Sequence, residues 1–128
     1  MRIRKIVSYL SGPISSNMSG YKAEFREAQE IAERKGRVVL NPAVLPIGLT
    51  EPDYTRISFT MLEAADEIVL LPGWERSNGA KLEAAYAERI GKRCLKLEQV
   101  EKEPVRFIGG NMKEASANDY QQGLRLSF

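Results

Sequence analysis

Short aliphatic, β-branched runs alternate along this chain with segments whose apolar residues recur at helical spacing. No other feature limits the fold as much. Ile3 to Leu10 is the first such run, and it stops at the breaker Ser11-Gly12-Pro13. Tyr21, Phe25, Ala28, Ile31 and Ala32 then keep a helical period, with Gly36 as the expected stop. Val38-Val39-Leu40 reads as a short strand closed by Asn41-Pro42, and Ala43 to Thr50 as a loop. A second helix carries Ile57, Met61, Leu62 and Ala65 and is expected to open at Pro52-Asp53, with Asp53 as its cap. Ile68 to Leu71 is the third strand, Ala80 to Ile90 the third helix with Gly91 at its end, and Arg93 to Leu97 the fourth strand. Val105-Arg106-Phe107-Ile108 is a candidate fifth strand.

Alternating strands and helices predict βαβ units and an α/β fold with a mainly parallel sheet of four or five strands. The runs lack polar alternation, as expected of a sheet covered on both faces. Residues 1–108 form this domain. Residues 109–128 are polar and weakly patterned, and are read as a C-terminal arm or a segment ordered against a partner subunit. Ligands in such folds bind beyond the carboxyl ends of the strands, where the strand order switches direction. Two loops rich in Gly and Ser fall at such ends, Ser11 to Ser19 and Pro72 to Gly79.

Composition narrows the chemistry. A net charge of +2 is too small to argue for a nucleic-acid partner. No run of residues is long and apolar enough to span a bilayer, and the basic start Met1 to Val7 lacks a signal-peptide core, so a cytoplasmic location is expected. The chain has no histidine, which excludes Ser–His and Cys–His catalysis and leaves proton transfer to carboxylates, tyrosines or lysines. Cys94 is the one cysteine, so no internal disulfide forms, and its strand predicts a buried, inert thiol. No cofactor or metal is expected.

Two constellations carry possible chemistry. Tyr9-Leu10-Ser11-Gly12-Pro13-Ile14 ends the first strand; Gly12 lets a ligand approach the backbone, and the hydroxyls and amides beside it can hold phosphate. The plainer reading is an ordinary strand-to-helix turn. Ser77-Asn78-Gly79-Ala80 followed by Glu83 reads as a helix start that can hold an anion, with a carboxylate near the same crevice. The plainer reading is a capped helix with a solvated glutamate. Trp74, in the adjoining loop, can stack on a base or plug the core. Asp66, Lys92-Arg93 and Arg2, Arg4 and Lys5 read as solvated charges.

Together these pieces resemble the nucleoside 2-deoxyribosyltransferase superfamily, and specifically a small phage and bacterial branch labelled a domain of unknown function (DUF4406). The likeness rests on Tyr9 to Ile14, on Ala65 to Glu75, and on Ser77 to Ala80 with Glu83 and Ala87. The resemblance implies a flavodoxin-like, three-layer Rossmann-like fold, a homodimer or larger homo-oligomer, and a nucleoside or nucleotide as small-molecule partner. It implies cleavage or transfer at the N-glycosidic bond through a glutamate nucleophile. Glu83 matches that nucleophile and Tyr9 the tyrosine that orients it. Gly12, Ser77 and Gly79 match positions near sugar or phosphate, and Asn111 a residue supplied by the neighbouring subunit; Ser11, Pro13, Ile14 and Trp74 are expected to bind the substrate beside them, and Ser58 to contact the base. One departure stands out. Where the family's enzymes carry an aspartate that protonates the leaving base, this chain has Ser58. A serine is far less acidic, so the alternative expectation is a slow enzyme, or a protein that binds nucleotides without turning them over.

Overall fold

The computed structural model describes residues 3–108 and the strand pairing of Gly110–Asn111. Strands β2 (Val7–Ser11), β3 (Val38–Leu40), β4 (Glu67–Leu70) and β5 (Arg93–Lys96) form a four-stranded parallel sheet in the order β3-β2-β4-β5. Helices α1 (Tyr21–Arg34), α2 (Glu51–Ala64) and α3 (Asn78–Arg89) connect them, and α4 (Leu97–Lys102) follows β5.

The pleat sorts the core into two halves. Leu10, Val69, Leu71 and Leu95 face α1 and α4, where they meet Phe25, Ala28 and Val100. Tyr9, Ile68 and Leu70 face α2 and α3, where they meet Leu62 and Ala87. The chain leaves β2 toward β3 on one side and β4 toward β5 on the other, so the crevice at the switch lies beyond Ser11 and Leu70.

Several elements differ from expectation. The first run splits at Ile6: Arg4–Lys5 (β1) leaves the parallel sheet and pairs antiparallel with β6 (Arg106–Ile108), which pairs in turn with β7 (Gly110–Asn111). The candidate fifth strand is therefore in a separate small sheet. Asp66 stands at the split and is not simply solvated. Its carboxylate accepts the Val7 amide at 2.8 Å and both arms of the Arg4 guanidinium at 2.8 and 2.7 Å. Thr50 rather than Asp53 caps α2, accepting the Asp53 amide at 3.3 Å, while the Asp53 carboxylate accepts from Arg56 at 2.5 Å. Leu97 begins a helix instead of ending a strand. The one legible signal was Gln99, whose side-chain oxygen accepts the Lys96 amide at 2.7 Å. Cys94 is exposed, because β5 is an edge strand that turns only Leu95 inward.

At the opposite end of the sheet from the crevice, Arg37 and Glu67 are buried together. Glu67 accepts from Ser8 Oγ at 2.5 Å and from Arg37 Nε at 3.0 Å, and Arg37 Nη2 donates to Glu103 at 2.7 Å. Arg93, expected to be solvated, also pairs with Glu103. Among the described residues no helix is long and apolar enough to cross a membrane.

Candidate active site

A strand turns residues i and i+2 to the same face, so Tyr9 and Ser11 both project from β2 toward α2 and α3. Ser77 caps α3, its hydroxyl oxygen accepting the Ala80 amide at 3.2 Å. The helix thus begins at Asn78, two residues before the expected start, and Glu83 falls in its second turn. From there the Glu83 carboxylate meets both β2 hydroxyls. Tyr9 Oη donates to Oε2 at 2.8 Å, and Ser11 Oγ donates to Oε1 at 2.5 Å. Ser58, buried on the inner face of α2, turns its hydroxyl to the Tyr9 and Glu83 oxygens.

The electrostatics follow from this burial. Burial pushes the Glu83 carboxyl up, and hydrogen bonds from Ser11, Tyr9 and Ser58 oppose the shift. Burial and the adjacent Glu83 charge push the Tyr9 phenol well up, so it stays protonated and remains a donor. The result is a carboxylate more basic than a free one, with both oxygens held in place.

The structure spreads the other predicted residues around this centre. Ser77 and Gly79 lie at the start of α3, and a Cβ on Gly79 would meet nothing within 4 Å. Gly12 is buried against the core. A Cβ there would sit 2.8 Å from Leu71 Cβ, so packing already requires a glycine. Gly12→Ala is accordingly expected to cost about 1–3 kcal/mol by overpacking, since Leu71 Cβ cannot swing away. Chemical denaturation would check this, and an unchanged midpoint would contradict it. Pro13 reaches the second loop, its Cγ 3.3 Å from where a Gly73 Cβ would be. Ile14 packs against the core cluster on the α1 side of the sheet. Trp74 packs against the cluster that holds Tyr9, and its indole N–H is buried with no hydrogen-bond partner among the described residues. It also lines a crevice of about 300 Å³ between its loop and α4, which neither Tyr9 nor Glu83 lines. The Asn111 side chain lies outside the described residues. Sequence reasoning placed Ser11 against a ligand and missed its bond to Glu83; its two-residue spacing from Tyr9 was the available signal.

The family model described as Domain of unknown function (DUF4406) matches residues 6–96, which span β2 to β5 and contain this centre. The chain belongs to the DUF4406 family. No curated protein matches the sequence. Among solved structures, the DUF4406 domain is similar to a 2-deoxyribosyltransferase from Leishmania mexicana, with a TM-score of 0.59 and 22% identity over 71% of this chain. The match covers 63% of that protein's length. At that identity the two share the Rossmann-like fold expected from the sequence.

Proposed function

We propose that the domain cleaves, or transfers a sugar from, the N-glycosidic bond of a nucleoside or nucleotide, with Glu83 as the nucleophile. The observation that carries this reading is a half-buried carboxylate with each oxygen held by a hydroxyl from the end of β2. The similarity to a deoxyribosyltransferase fold supports the same substrate class.

In this mechanism a Glu83 oxygen attacks the anomeric carbon, the base departs, and water or a second base takes the sugar from the resulting ester. Tyr9 and Ser11 aim the carboxylate and leave it one conformation from which to attack. The α3 amides near Ser77 and Gly79 lie about 7.5 Å along the helix from Glu83 and are positioned to take a 5′-phosphate. Incubating the protein with each nucleoside and its monophosphate, and following free base by chromatography, tests the reading. Base release from none of them would defeat it.

Tyr9→Phe is expected to lower kcat/KM about 10–100-fold, the equivalent of one hydrogen bond to a charged group. The pH profile carries a sharper signature. Activity should fall as Glu83 takes up a proton, at a pH above the ordinary carboxylate value of 4.5 because burial raises it. The Tyr9 hydrogen bond favours the charged form, so its removal should move that acid limb to still higher pH. An unmoved limb in Tyr9→Phe would show that the phenol does not act on Glu83.

The second reading is a domain that binds nucleotides with little turnover. Ser58 favours it, since a hydroxyl stands where the resemblance expects an acid. Calorimetric binding without product would distinguish it from the first.

A further inference from the structure

We propose, on the reading of Glu83 as nucleophile, that the site takes N-glycosides whose base already carries a positive charge, such as N7-alkylated purine or pyridinium nucleosides. The leaving group sets the demand on the site. When Glu83 attacks the anomeric carbon, the electron pair of the breaking C1′–N bond stays on the base. A neutral purine or pyrimidine then leaves as an anion unless something protonates it, and a positioned acid is typically worth ~10²–10⁴-fold.

The described residues around Glu83 are poor proton donors. Ser58, on α2, offers an alcohol. Tyr9 has its phenol pushed further from ionisation by burial and by the Glu83 charge. Of the other carboxylates on α2, Glu51 is exposed at the helix's first residue, Asp53 accepts from Arg56, and Glu63 accepts from the Tyr86 hydroxyl. The sequence holds no histidine.

A cationic base removes the need for an acid. The bond electrons neutralise its charge, and it departs as a neutral molecule. Water then attacks the glycosyl ester, its hydroxyl goes to the sugar carbon, its proton goes to solvent, and the Glu83 carboxylate is restored. The same features favour binding such a base. The half-buried carboxylate attracts the positive charge, and the Tyr9 and Ser11 hydroxyls hold it in place.

The test compares 7-methylguanosine and 7-methyl-2′-deoxyguanosine with guanosine and 2′-deoxyguanosine, with nicotinamide riboside as a separate pyridinium arm. Free base is followed on the full chain against protein-free blanks. The expected result is release from a cationic substrate, abolished in Glu83→Gln, with a rate enhancement over the blank ~10²–10⁴-fold above that of the neutral nucleosides. Whichever cationic arm responds identifies the base type. Ser58→Asp should narrow the gap by speeding the neutral substrates, and Ser58→Ala, which removes a hydroxyl from beside Glu83, should slow neutral and cationic substrates alike. Equal enhancement of neutral and cationic substrates by the unaltered protein overturns this proposal and leaves the role of Glu83 standing. A large loss in Ser58→Ala confined to the neutral substrates also overturns it, because the serine would then be supplying the proton. No release from any substrate, or release that persists in Glu83→Gln, overturns the underlying reading as well.

Discussion

Glu83→Gln is expected to reduce base release by about 10⁴-fold or more, the scale seen when a covalent nucleophile is removed. The amide keeps the shape of the side chain but cannot donate an electron pair to an anomeric carbon as a carboxylate does. Its single oxygen can still accept from Tyr9 or from Ser11, the two residues that hold Glu83 now. The far-ultraviolet circular dichroism and the melting temperature should therefore stay close to those of the parent, which separates chemistry from folding. A well-folded variant retaining a tenth or more of the parent's kcat/KM would remove Glu83 from the mechanism.

Glu67→Ala should be the most damaging change to stability. The Arg37 side chain is 0% exposed and that of Glu67 2%, so neither charge can turn to water when its partner is lost. Breaking such a pair typically costs about 3–5 kcal/mol; Arg37 keeps Glu103, so the loss falls on its buried Nε, which is left without its acceptor. That is a large share of the ~5–15 kcal/mol that stabilises a typical domain. Urea unfolding would measure it. A loss below about 1 kcal/mol would contradict the assignment of this pair as buried and coupled. Replacing both partners, Arg37→Met with Glu67→Leu, should cost less than the single change, since no buried charge is then short of a partner and Glu103 keeps Arg93. The network also has an acid-sensitive edge. Burial pushes the Glu103 carboxyl up, but Arg93 and Arg37 outweigh it and hold it below its ordinary value of 4.5. Its contribution is present above that pH and is lost as pH falls through the lower folded value.

How much of this was legible in the sequence depends on the range of the interaction. The α1 face was readable at Tyr21, Phe25, Ala28, Ile31 and Ala32 because a helical period is local, and all five are buried. The βαβ order, and with it the parallel sheet, followed from the same short-range patterns. Boundaries were less legible where a side chain replaced a backbone partner, as Asp66 does for Val7 and Gln99 for Lys96. The Cys94 strand was read as buried because its composition does not reveal that it lies at a sheet edge.

From the sequence alone came the alternation that forces a parallel sheet, the two loops at its carboxyl end, and the selection of Tyr9, Ser58 and Glu83 as residues to watch. Only the tertiary structure decided that Ser11 closes on the second oxygen of Glu83, that Ser58 joins them, and that Arg37 and Glu67 lie buried at the far end. Patterns of a few residues encode local geometry, whereas these contacts join positions 25 to 74 residues apart, and their distances are set by how the helices pack on the sheet.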